Sequence, residues 1–261
     1  MARASATRRV GGLVLALGAV ALAAAPLWSG SAAAAGAEVG HWRMDEQSGN
    51  VMHDSSPSGL NGTIGSAVTL PGGSFQFPGW TGNVDGTGHL KGKVPAEAGA
   101  GKVPDPGDVL DPRTGSFTIT VRLRSALLAN GHLPTAPGAS YNIVQKARSD
   151  DGGGFWKLEL GGSGAQLGKL RWVLSDGLHS VVVTSKGRVD DGAWHTVVAE
   201  RRGTQSVLTV AGATASASAK SIGDIHPKGK YSDTMTVGKK PGSTDPKDAF
   251  AGWLKELVAS R

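Results

Sequence analysis

From Phe117 to Arg124 the chain alternates without a break. Phe117, Ile119, Val121 and Leu123 fall on one face of an extended backbone, and Thr118, Thr120, Arg122 and Arg124 on the other. The same period of two recurs in FWKLEL, which groups Trp156, Leu158 and Leu160 against Phe155, Lys157 and Glu159, and in KLRWVL, which groups Leu170, Trp172 and Leu174. Further runs of this kind are VGHWRM, SFQF, YNIVQK, SVVVTS, TVVAER, SVLTV, DTMTV and the terminal FAGWLKELV. Gly, Pro, Asp and Ser separate them, and past the first 35 residues no long segment has helical periodicity. About a dozen short strands of this kind predict an all-β fold, an antiparallel sandwich of two sheets.

Residues 1–35 stand apart. Arg3, Arg8 and Arg9 precede the apolar run GGLVLALGAVALAAAPL, and small residues ending SAAAA follow. That order reads as a secretory signal peptide cleaved near Ala35 rather than a stable membrane span, because the run is rich in Gly and Ala, is broken by Pro26 and ends at a small-residue site. Removing its three arginines from the 27 basic residues leaves 24 against 21 acidic ones, a formal +3 rather than +6. These charges are interspersed, with no Lys/Arg block, so nucleic acid is not an expected partner. With no cysteine, an exported chain has no disulfide to staple it. The 226 residues from 36 to 261 are enough for one core, and we find no linker that would divide them.

Two stretches break the strand rhythm. From Pro78 to Gly115 the chain is crowded with Gly and Pro, with one short strand expected near His89 to Lys93, and ANGHLPTAPGAS separates the strand at Phe117 from the one at Tyr141. Trp80 lies in the first of them. No strand pattern places it in the core, unlike Trp42, Trp172, Trp194 and Trp253, so it is read either as an aromatic platform for a ligand or as a plug beneath the long loop.

In DDGAWHTVVAERRGTQSVLTVAG a strand starts after Asp191-Gly192, turns at Arg202-Gly203-Thr204 and returns as QSVLTV, a hairpin by its own pattern. Trp194 sits where a strand enters the sandwich, suited to closing the end of a core, and His195 alternates to the other side. This segment, ending at Gly212, resembles the laminin-G-like, concanavalin A-like lectin/glucanase superfamily. The likeness extends to HWRMDEQSGNVMHDSSPSGLNGT, GSFTITVRLRS, NIVQKARSDDGGGFWKLEL and FAGWLKEL. It implies a secreted domain, of bacterial type, folded as a jelly roll with binding on a concave face or loop rim. It also implies that the Trp194-His195 pair is structural.

Hydrolytic chemistry on this fold needs two carboxylates on one strand face, written E-x-D-x-E or E-x-D-x-x-E. None of the six glutamates (Glu38, Glu46, Glu97, Glu159, Glu200, Glu256) has an aspartate two positions on, and Glu159 shares its face with Lys157, which suggests an ion pair. A lyase Gln-x-His element, a G-x-S-x-G elbow and any thiol nucleophile are likewise missing. A non-catalytic domain binding polysaccharide or a glycoconjugate is therefore expected, with Trp80, Phe155, Lys157 and Arg171 as ligand-binding candidates. A protein-protein adhesion or cell-envelope module and a diverged glycosidase are the alternatives. The resemblance also implies a structural calcium; oxygen-rich stretches offer Asp45, Asp54, Asp150 and Asp151 as candidate ligands, though turn chemistry is the favoured reading of each. In the terminal strand Lys255 stands where the superfamily places an aspartate, and its ammonium is expected to replace the cation's charge.

Overall fold

The structure is a computed structural model that describes residues 36–218 and 222–261 together with Met1. The signal-peptide reading lies outside the described residues. Fifteen strands follow in chain order: β1 (Glu38–Trp42), β2 (Val51–Met52), β3 (Gly62–Ile64), β4 (Phe75–Phe77), β5 (Gly101–Pro104), β6 (Phe117–Ser125), β7 (Ser140–Lys146), β8 (Phe155–Gly161), β9 (Lys169–Ser175), β10 (Ser180–Arg188), β11 (His195–Arg202), β12 (Gln205–Val210), β13 (Ala213–Ser218), β14 (Thr234–Val237) and β15 (Gly252–Ser260). One sheet runs β1-β15-β6-β11-β12-β13, with β4 also paired to β15. The other runs β10-β9-β8-β7-β14-β5-β3-β2, and every named pairing is antiparallel.

The alternation explains the layering. On β6 the odd-numbered Phe117, Ile119, Val121 and Leu123 are buried, and Arg124 on the even face is exposed. From the second sheet Trp156, Leu158, Leu160, Leu170, Trp172 and Leu174 join the same core. Trp156 lies 5.2 Å from Phe117 across the sandwich and 5.8 Å from Trp172 beside it, in tilted contacts. The hairpin read at Arg202-Gly203-Thr204 is present, with Arg202 opposite Gln205.

The long connection departs from expectation. Its strand is β5 at Gly101–Pro104, inside the second sheet, and His89–Lys93 contributes only an isolated bridge between Val84 and Leu90. Two buried lysines tie it down. Lys146 at the end of β7 is fully buried between the carboxylates of Asp105 and Asp111, 3.1 Å from Asp111 Oδ1, while Asp105 also accepts the backbone N–H of Val109 and Leu110. Lys239 is 1 % exposed and donates to the carbonyl of Pro95. At Gly79 the backbone (φ +47) passes so close to Phe250 that a Cβ would lie 2.1 Å from its carbonyl oxygen, which only glycine permits.

Burial pushes the Lys239 ammonium down from 10.5 to about 8. Between those values the unfolded chain holds a proton that the folded chain has released, so stability rises with pH across that window. Tyr141, whose hydroxyl burial pushes upward, opposes this above its ordinary value of 10. The urea midpoint is therefore expected to climb from pH 8 toward 10 in the native chain and to lose that climb in Lys239→Met. A native profile that is flat or falling over this range would contradict it.

Candidate functional site

Of the residues proposed from sequence, Lys157 and Arg171 are brought together. Both converge on Glu159, which is fully buried: Lys157 Nζ lies 2.6 Å and Arg171 NH1 2.7 Å from its carboxylate. Strand register explains this, since Glu159 faces Arg171 across the β8-β9 pair and Lys157 is two residues along the same face. The ion pair read at Lys157 is present. On the other side of β8 Glu159 faces Asn142, so neither cross-strand neighbour is the second carboxylate that glycoside hydrolysis requires.

The aromatic candidates are placed differently. Trp80 is 2 % exposed, joins the main core and lies 6.4 Å from Tyr141, so it plugs the core beneath the long loop and offers no stacking face. Burial of so large an apolar ring outweighs its position in an irregular segment. Phe155 is likewise buried, in a small cluster with Ala147 and Val173.

Among the described residues no three of the proposed calcium ligands cluster together. Asp45 pairs with Arg43 at 2.8 Å. Asp54 accepts the backbone N–H of His41, Ser56 and Leu60 and the Ser56 hydroxyl, an Asx turn in which both oxygens are engaged. Asp150 is held by Arg148, whose hydrogen bonds keep its carboxyl below the usual range, and Asp151 is half-buried beside it. Among the described residues the acidic and imidazole groups that do converge are Asp108, Asp111 and His226. That group already has cations of its own, with Lys146 on Asp111 and the Arg113 guanidinium donating to His226 Nδ1 at 2.8 Å.

Lys255 does not stand in for a cation among carboxylates. Its ammonium lies 4.7 Å from the centroid of the Trp194 ring, with no carboxylate within ion-pair distance among the described residues. Nor do Trp194 and Trp253 belong to the core. Both are half-buried on the outward side of the first sheet, because Trp253 and Lys255 alternate with the inward Leu254, and Trp194 alternates with the inward parity of His195 and Val197. His195 is paired locally, its Nε2 2.8 Å from Asp191 Oδ1 in the turn before β11.

What these placements assemble is a cation-indole face that no single segment displays. In the β15-β6 register Trp253 lies opposite Arg124 and Lys255 opposite Arg122, and across β6-β11 Arg122 lies opposite Thr196. The Arg124 guanidinium sits 4.5 Å from the Trp253 centroid, and Arg122 and Lys255 flank the Trp194 ring at 5.9 and 4.7 Å. The even-numbered face of β6 was legible as outward. Its neighbours on β15 and β11 come from segments more than 60 residues away.

No curated protein matches the chain in sequence. Among solved structures, the binding domain of Paraclostridial Mosquitocidal Protein 1 superposes with a TM-score of 0.60 at 14% identity. The binding domain of botulinum neurotoxin serotype G gives 0.58 at 15%, and botulinum neurotoxin type C, which depends on interaction with two ganglioside molecules to enter cells, gives 0.55 at 12%. Each match covers 86% of this chain and 48% of the solved one, so the chain spans about half the length of these structures. At such identities the likeness is one of fold. Residues 150–258 match the Laminin G domain, and with two antiparallel sheets closed over one core the chain has the laminin-G-like, concanavalin A-like jelly-roll fold.

Proposed function

We propose that this chain is a non-catalytic module that binds carbohydrate or a cell-surface glycoconjugate outside the cell. The observation that carries this reading is the outward face of the first sheet. There Trp194 and Trp253 are half-exposed, and Arg122, Arg124 and Lys255 have no carboxylate partner among the described residues. Cations held against half-exposed indoles, with no carboxylate partner among the described residues, are donors that the hydroxyl and acidic substituents of sugars engage. The fold supports it, being shared with binding domains, one of which belongs to a toxin that interacts with gangliosides. Export rests on the arginine-led apolar leader, and no helix among the described residues is long and apolar enough to cross a membrane.

The test is a glycan and polysaccharide array probed with residues 36–261, in calcium and again in EDTA. Saturable binding that survives EDTA is the expected result. Binding abolished by EDTA would reveal a functional calcium site and return attention to Asp45, Asp54, Asp150 and Asp151. Silence in both buffers would favour the second reading, a protein partner, for which the exposed Leu178 at the β9-β10 tip is the supporting observation.

A further inference from the structure

We infer that the ligand of the cation-indole face is an anionic polysaccharide, carboxylated or sulfated, held by Arg122, Arg124 and Lys255; this deepens the glycan-binding reading and rests on it. The indole faces are already occupied. Arg124 covers Trp253 at 4.5 Å, and Arg122 and Lys255 lie against Trp194 at 5.9 and 4.7 Å. A neutral sugar that stacked on either ring would have to displace a cation from it. An anionic group meets those cations where they stand. The stacked guanidinium keeps its N–H edges free for a planar bidentate acceptor, and contact with the ring restricts its rotamers, so less freedom is lost on binding.

The spacing suits a chain rather than a single ion. Arg124 and Arg122 are two residues apart on one strand, about 7 Å by strand geometry, and Lys255 lies on the adjacent strand, about 5 Å away. Three cations on such a lattice repel one another, and no carboxylate within ion-pair distance relieves them among the described residues. Acidic side chains close to this face by sequence or on its strands are committed elsewhere: Glu256 to His41 at 3.1 Å, Asp191 to His195 at 2.8 Å and Glu200 to Arg202 at 2.8 Å. Arg122 Nε is buried and has no hydrogen-bond partner, a donor the fold leaves unused. Successive negative groups along a polysaccharide would relieve that repulsion, and an anion that drew the Arg122 guanidinium outward would also give its buried Nε–H an acceptor.

The experiment compares dextran, dextran sulfate, alginate and polyglutamate as ligands of residues 36–261 by calorimetry, beside Arg122→Gln/Arg124→Gln/Lys255→Gln and the single exposed Arg124→Gln. Thermal unfolding checks that each variant is folded. The expected result is binding to dextran sulfate or alginate but not to dextran, weakened at least about tenfold in the triple variant and several-fold in Arg124→Gln, and falling with added salt. Which of the two acidic polymers binds assigns sulfate or carboxylate. Equal affinity for polyglutamate would overturn the assignment by showing a plain polyanion surface. Binding to neutral glycans that the triple variant leaves unchanged would overturn it while leaving the glycan-binding reading intact. Silence toward every polysaccharide, here and on the array, would remove both.

Discussion

Replacing Lys146 with alanine is expected to lower the unfolding free energy by about 3–5 kcal/mol, a large part of the roughly 5–15 kcal/mol that holds a domain folded. The ammonium lies in a fully buried site between Asp105 and Asp111, and without it two carboxylates remain in the interior with only the His226 imidazole, 3.1 Å from Asp111 Oδ2, beside them. Burial already pushes the Asp111 carboxyl above its ordinary value despite the neighbouring lysine. Asp105 differs, because two backbone N–H groups also support its charge. Asp111→Asn is therefore expected to cost less than Lys146→Met, and the double variant less than the sum of the two, with a coupling of about 1–3 kcal/mol. Denaturant midpoints measure all three, and additive costs would show that water, not Lys146, neutralises the site.

The second large effect is expected at Trp156, where alanine should cost about 3–5 kcal/mol. Its ring touches Phe117 from the opposite sheet and Trp172 from the adjacent strand, and its Nε1 donates to the carbonyl of Leu110 at 2.9 Å. Truncation opens a cavity between the sheets and leaves a buried carbonyl unpaired. Trp156→Phe keeps much of the ring packing and loses the donor, so its smaller cost measures the hydrogen bond together with the lost volume. A loss below about 1 kcal/mol for the alanine variant would mean that the core closes over the gap. Trp156 and Lys146 are cross-strand partners and anchor the same stretch, Asp105 to Asp111, so their effects should not be independent. Together they tie down a segment that has no strand or helix of its own.

The difference between the legible and the illegible parts of this chain is physical. Period-two alternation is local, since each residue's face follows from its parity, and it identified the long strands, the β11-β12 hairpin and the burial of Trp42, Trp156 and Trp172. Strands of two to four residues, such as β2, β3 and β5, carry too few positions for a period, and β13, written ATASAS, lacks the apolar residues that mark one. For Trp194 and Trp253, membership of a strand was legible but the direction of the ring was not. Parity sorts residues into two faces, and only a clean apolar-polar contrast says which meets the other sheet; β15 lacks that contrast because its register shifts between Lys255 and Val258, and in β11 both faces carry apolar residues.

By itself, then, the sequence determined the all-β class, the single core without disulfides, the absence of paired-carboxylate motifs and the Lys157-Glu159 pair, all of which follow from composition or from neighbours a few positions apart. Tertiary structure alone decided that Trp80 is a plug, that Asp45 and Asp150 pair with arginines and Asp54 with a turn, and that Lys146 is buried between two distant aspartates. It also placed Arg122, Arg124, Lys255, Trp194 and Trp253 on one face. The reason is register: β6 lies beside β15 and β11 through pairings that span the sequence, and a shift of one residue would turn each of these side chains to the opposite face.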